Sequence, residues 1–151
     1  RPATMDDAQL LLDWRNDPAT RASAFNTQPV ELASHLPWLQ RKLSSSDSFL
    51  FIACDLNHQP VGQIRFDIEG NEALIDFTIA PSRRGQRLAS RLLRLGSMTI
   101  LRRQIAHRMV GYVKQENVAS QRAFSAAGFE LTRDELVQQQ PCIRFELRPS
   151  R

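Results

Sequence analysis

The 151-residue chain is poor in the residues from which metal sites and disulfide frameworks are built. It has two cysteines, Cys54 and Cys142, both in strand-like runs and neither at a metal-binding spacing. That excludes a disulfide scaffold and fits reduced core thiols in a cytoplasmic protein. The three histidines, His35, His58 and His107, lie far apart, so no metal is expected. No apolar run is long enough to span a bilayer and no signal peptide is visible, so no membrane partner is expected. Lysine is scarce. Lys42 and Lys114 are the only two, and the basic side of a chain of net charge +4 is otherwise all arginine. Arginine's planar fork meets phosphates and carboxylates with two parallel hydrogen bonds. A polyanionic ligand is one reading of this bias; a composition habit of the source genome is the other. Tyrosine is scarcer still, with Tyr112 alone.

What remains is the composition of a folded domain, 42% hydrophobic and 24% charged, and the length suits a single core. The chain opens at Arg1 without a methionine. It is read as one domain, residues 1–151, cut from a longer polypeptide, with a strand beginning before Arg1.

Leucines and Trp14 at helical spacing predict a first helix over Asp6–Arg15, ended by "NDPAT". "PVELASHLPWLQRKL" predicts a second helical region, broken near Ser34 because Pro37 cannot sit deep in a helix. "SFLFIACDL", "VGQIRFDIE" and "EALIDFTIA" read as three strands of an antiparallel meander, the last two joined by a Gly70-Asn71 turn. In the second of these, Gln63, Arg65 and Asp67 face one way and Ile64, Phe66 and Ile68 the other. A helix over about 87–103 follows, then the strand "HRMVGYV", which should run parallel to the third. Asn117 caps the helix "VASQRAFSAA", Gly128 ends it, and "CIRFEL" is the last strand.

The joint between the third strand and the long helix is "RRGQRLASRLL", Arg83 to Leu93. A helix N-terminus leaves backbone N–H groups unpartnered and favours negative charge. Gly85 lets the backbone approach a ligand closely, and Arg83, Arg84 and Arg87 add positive charge. This outlines a phosphate cradle. It is neither a Walker loop nor the dinucleotide fingerprint, since Gly85 stands alone. A plain solvated basic helix start is the other reading.

The order helix–strand–strand–strand–"RRGQRLA"–helix–strand–"NVASQRAFSAAGF" resembles the GNAT superfamily of acetyl-CoA-dependent N-acetyltransferases over essentially the whole chain. The resemblance implies an α/β (α+β mixed) fold. Its central mixed sheet would have about six to seven strands, a meander followed by a parallel splayed pair, with about four flanking helices. The family's loop motif is matched by Arg84 and Ala89, while Arg87 stands where glycine is usual. The resemblance further implies that the coenzyme's diphosphate binds backbone N–H groups across Arg84, Gly85, Gln86, Arg87, Leu88, Ala89 and Ser90. The pantetheine would lie along Phe77, Thr78 and Ile79, in a gap opened by strands that part after residue 79. Asn117 matches the family asparagine that contacts the coenzyme; a simple helix cap is compatible with the same position.

In this family an amine attacks the thioester directly in a ternary complex. The tyrosine that often serves as acid is here Phe124, which has no proton to give. Tyr112, on the strand beside the expected cleft, is the candidate to replace it; a core tyrosine is the alternative. Asp76 interrupts an apolar strand and is the candidate base, with a structural pairing to Arg65 as its alternative.

For the acceptor, "WRND" and "HLPW" resemble the branch that acetylates nucleotide-linked amino sugars of the pseudaminic-acid type. That resemblance places Trp14, Arg15, Asn16, His35 and Trp38 over the acceptor cleft; both tryptophans also read as core anchors. The neighbouring branch, which acetylates protein N-termini including ribosomal proteins, shares these elements. Two readings of other classes stay open. A non-catalytic acyl-CoA-binding module is favoured by Phe124 and Arg87, and a nucleic-acid-binding domain by arginine content alone.

Overall fold

The three apolar runs at residues 48–79 pair as the expected meander. β1 (Ser48–Cys54) lies antiparallel to β2 (Pro60–Glu69), and β2 to β3 (Glu72–Ile79). Gly70 turns the second hairpin at φ 61°, a left-handed angle that glycine adopts without a steric penalty. The computed structural model describes residues 1–149. In it β4 (Arg108–Lys114), β5 (Glu130–Val137) and β6 (Gln140–Leu147) complete a six-stranded mixed sheet in the order β1-β2-β3-β4-β6-β5. Residues 1–3 run beside β1, with Ala3 N–H donating to Leu50 O at 2.9 Å.

Five helices flank the sheet: α1 (Ala8–Asn16), α2 (Pro18–Ser23), α3 (Leu32–Ser44), α4 (Leu88–Arg102) and α5 (Val118–Ala126). Ile64, Phe66, Met109 and Phe145 pack on one face with Leu93 and Ile100 of α4 and Phe124 of α5. The other face packs Leu50 and Ile52 of β1 against Leu11 and Trp14 of α1 and Leu39 of α3. A strand presents alternate residues to opposite faces. Gln63, Arg65 and Asp76 therefore share this second face with the α1–α3 layer.

Several boundaries differ from the sequence reading. α3 is continuous, with Pro37 inside it and no new start at Ser34. Proline in the second turn removes one backbone bond, while burial of His35 and Leu39 holds the helix together. "NDPAT" is both a stop and a start. Asp17 caps α2 by accepting from Thr20 N–H at 3.2 Å, and Pro18 takes the first helical position, where it needs no N–H. β5 escapes sequence patterning because it is an exposed, charged edge strand. Its hairpin turns on Gln138 and Gln139 at φ 49° and 63°, without the usual glycine.

The parallel pairing of β3 with β4 spans only Glu72–Leu74 against Arg108–Val110. The strands part after Leu74, not after residue 79 as expected. That early separation gives the chain its cleft.

Candidate active site

The gap between β3 and β4 opens into a cleft of about 1420 Å³. At one end lie Phe77, Thr78 and Ile79 on the margin of β3 that β4 has left, the start of α4, and Asn117, which precedes α5. The chain leaves β3 through a short turn at Pro81–Arg83 and enters α4 with Gly85 at φ 78° and Arg87 at φ 59°. No side chain caps this helix. Its first N–H groups, at Leu88, Ala89 and Ser90, have no acceptor within the helix itself, and all three residues line the cleft. α5 begins differently. Asn117 Oδ1 accepts from Ser120 N–H at 3.2 Å and closes that end. The far end of α5 matches its sequence signal too, with Gly128 at φ 93° and Phe129 N–H returning to Phe124 O at 3.0 Å.

Arg87 shows why glycine is usual at its position. The backbone there is left-handed, which costs an L-residue roughly 1–2 kcal/mol. Arg84 Nη2 donates to Asp17 Oδ2 at 2.8 Å and to Thr20 Oγ1 at 3.0 Å, tying this loop to α2. The bond from Arg84 holds the Asp17 carboxyl below the usual carboxylate range. Arg83 pairs with Asp55 at 2.9 Å and donates to Gln86 Oε1 at 3.2 Å. Gln86 is thus engaged in the loop and is the one residue of 84–90 that does not line the cleft.

The other end of the cleft is made of side chains. Trp14, Arg15, His35, Trp38 and Asp76 are brought together here, joined by Arg41, Gln63 and Arg65. His35 is buried, and its Nε2 lies 2.9 Å from Ala8 O, which fixes the proton on that nitrogen. Burial lowers its pKa. The ring stacks on Trp38 at 5.6 Å, and the Arg65 guanidinium lies over Trp38 at 5.1 Å. Asp76, with 54% of its side chain exposed, lies 3.8 Å from Arg65 Nη1 and accepts from Gln63 Nε2 at 3.0 Å. The expected pairing with Arg65 and the cleft position therefore hold together.

Two predicted residues stand elsewhere. Asn16 spends its amide on the backbone of Val30, donating and accepting at 2.8 Å each, and so shapes the loop after α2 without entering the cleft. Tyr112 lies on β4 outside the cleft lining. Its hydroxyl is bonded by Arg144 Nη1, and Arg144 is held by Glu72 and Glu146 at 2.8 Å each. Burial pushes the Tyr112 pKa up. The strand is the expected one, but this ion-pair cluster, not the cleft, holds its hydroxyl. Phe124 is a core residue, with its ring against Phe77, Phe129 and Phe145. A Cβ on Gly111 would come within 2.3 Å of it.

Sequence reasoning missed Arg41, Gln63 and Arg122 as lining residues. The signal for Gln63 was present, since alternation places it with Arg65 on the face that Asp76 shares. Charge in the cleft is one-sided. Arg15, Arg41 and Arg65 line one end and Arg83, Arg84, Arg87 and Arg122 the other; Arg65, Arg83 and Arg84 are paired with carboxylates, and the remaining four have no such partner among the described residues.

Comparison with known proteins agrees with this geometry. No curated protein matches the chain. Among solved structures, the aminoglycoside acetyltransferase AAC(6')-Ib in complex with coenzyme A and kanamycin superposes with a TM-score of 0.84. It shares 18% identity over 98% of this chain and 92% of its own. The spermidine N-acetyltransferase of Vibrio cholerae, in complex with CoA and spermine, reaches 0.85 at 18% identity, over 98% of this chain and 93% of its own. An uncharacterized Bacillus halodurans protein reaches 0.84 at 17% identity, over 98% and 82%. At these identities the likeness is one of fold. A family model described as an acetyltransferase (GNAT) domain matches residues 1–130. It identifies the superfamily rather than a branch within it. With an uncapped helix facing a splayed strand pair and a family match over most of its length, the chain belongs to the GNAT acetyltransferases.

Proposed function

We propose that this chain transfers the acetyl group of acetyl-CoA to a primary amine on an anionic acceptor, foremost a nucleotide-linked amino sugar. The carrying observation is the open start of α4 beside the unpaired margin of β3. In this reading the coenzyme's diphosphate meets the N–H groups of residues 85–90, and the pantetheine amides lie along Phe77, Thr78 and Ile79. Arg84, Arg87 and Asn117 flank it.

The amine nitrogen attacks the thioester carbonyl carbon. The C–N bond forms, the C–S bond breaks, and the electron pair leaves with sulfur. The amine's surplus proton passes to Asp76, the one carboxylate in the cleft. Tyr112 takes no part. A thiolate is a tolerable leaving group without a dedicated acid, since a thiol such as cysteine has a pKa of about 8.5.

Arginine excess supports the choice of acceptor. Two of the solved proteins named above act on aminoglycosides and spermidine, whose amines are cations. Arg15, Arg41, Arg87 and Arg122 line the cleft with no carboxylate partner among the described residues, an excess that repels a polycation and suits a phosphate-bearing amine. Trp38 offers a ring face for a base or sugar, and Arg15 and Arg41 offer donors for phosphate. An acidic peptide N-terminus fits the same charge and is the second reading. Both cysteines are free, in keeping with a cytoplasmic setting.

A thiol-release screen tests this reading. It would compare UDP-linked amino sugars, acidic N-terminal peptides, spermidine and kanamycin, each with acetyl-CoA. Turnover of an anionic amine supports the proposal. Turnover of spermidine or kanamycin above both anionic classes overturns the acceptor choice, and no binding of acetyl-CoA overturns the whole.

A further inference from the structure

α2 is six residues long and buries none of them. A helix that short has no stability of its own, so its docking depends on polar bonds from outside. Lys114 Nζ of β4 donates to Ala22 O at 3.1 Å. At the start of the helix, Asp17 serves two partners. Its Oδ2 accepts from Thr20 N–H at 3.2 Å, which caps α2, and from Arg84 Nη2 at 2.8 Å. Arg84 belongs to the loop that leads into α4, 67 residues away in the chain. Ala19, Thr20, Ser23 and Ala24 line the same cleft as Arg84 and Gly85. One carboxylate thus joins a wall of the cleft to the turn that precedes α4. Arginine has five N–H donors. Arg84 Nη2 spends its two on Asp17 and Thr20 Oγ1, which leaves the three on Nε and Nη1. These have no partner among the described residues, and the side chain is 38% exposed on the cleft.

We propose that Asp17 is a positioning residue that relays occupancy of the diphosphate subsite to α2, so that this wall of the cleft tightens when the coenzyme is bound. The proposal rests on the acetyl-transfer reading above. A diphosphate on the N–H groups of residues 85–90 brings negative charge beside Arg84. Nε and Nη1 then meet a phosphate oxygen while Nη2 stays on Asp17 and Thr20, so no existing bond has to break. In the open cleft the Arg84–Asp17 pair faces water, and such pairs contribute little. Bound coenzyme excludes that water and fixes the guanidinium from its other side. Charge-assisted bonds strengthen under those conditions. The effect is mutual by linkage: a coenzyme that favours docked α2 is itself held more tightly when α2 is docked. Asp17 touches neither substrate. It acts through Arg84 on one side and through the cap of α2 on the other.

Amide hydrogen exchange tests this without knowledge of the natural acceptor. The amides to follow are those of Arg21, bonded to Asp17 O at 2.9 Å, and Ala24, bonded to Arg21 O at 3.1 Å. In the wild type, saturating CoA should slow their exchange about tenfold, the effect of one strengthened charge-assisted bond. ADP, which carries the diphosphate without the pantetheine arm, should do the same. Asp17→Asn keeps a good N-cap and removes the charge pair. In that variant CoA should change the exchange by less than about twofold. Lys114→Met loosens α2 from its other anchor and should keep the CoA effect in full. No slowing in the wild type overturns the proposal. So does slowing that persists in Asp17→Asn, slowing by CoA but not by ADP, or loss of the effect in both variants alike. Calorimetry sets the saturating concentrations. If it finds that the wild type binds neither CoA nor ADP, the acetyl-transfer reading itself falls, and the proposal with it.

Discussion

The two ends of the cleft are made of different materials. At the α4 end the cleft offers main-chain N–H groups, from a turn with two left-handed residues and a helix start that no side chain caps. At the far end they are side chains from α1, α3, β2 and β3, with Trp38 held between His35 and Arg65. A site built of backbone tolerates change in its side chains, because every residue supplies the same N–H. A site built of side chains changes its ligand with each substitution. The first suits a coenzyme shared by many enzymes, and the second an acceptor particular to this one.

Four variants probe that contrast. The largest effect belongs to the side-chain end. Asp76→Asn should lower kcat by about 10²-fold, the usual contribution of a positioned proton acceptor, with CoA affinity unchanged by calorimetry. At the backbone end, Ala89→Asp places a carboxylate where the diphosphate would sit. CoA affinity should fall at least about tenfold, while thermal stability holds or rises, because an acidic side chain suits a helix start. An equal loss of stability would show that the variant damaged the helix rather than the ligand site. Arg87→Gly should move CoA affinity by less than about threefold if the donors are main chain, a change below about 1 kcal/mol.

The smallest effect comes from pH. Burial sets the His35 pKa below its usual 6.5, so the unfolded chain takes up that proton first as pH falls. The stabilisation is complete above about pH 6.5 and declines as pH drops below it. Asp7, Asp17 and Asp67, whose pKa values are lowered, lose their contributions only below about pH 4. Urea midpoints measured between about pH 7 and pH 5 should therefore fall in the wild type and flatten in His35→Gln. Coenzyme affinity should be the same in both.

The same contrast decides what could be seen in the sequence. A strand, a cationic glycine turn and an amphipathic helix are contiguous, so the backbone end was legible from residues 72–103. The six-stranded sheet was legible wherever strands are apolar and failed at β5, whose charged residues carry no alternating pattern. Trp14, Arg15, His35, Trp38 and Asp76 were found individually. Gln63 was not, because its meaning depends on the register that sets it opposite Thr78. Tyr112 was placed on the correct strand, but nothing local announces that Arg144, 32 residues later, claims its hydroxyl. Asn16 misled for a similar reason, since its partner Val30 lies beyond α2 and the irregular loop that follows it.

The sheet is stitched through its middle by only the rungs from Glu72–Leu74 to Arg108–Val110. The two halves, β1 to β3 and β4 to β6, are therefore held together mainly by the core they share, in which Ile64 and Phe66 pack with Met109, Phe145 and the helices α4 and α5. The opening at residues 75–79 of β3 thus costs the sheet five rungs, and packing against α4 and α5 makes good the loss.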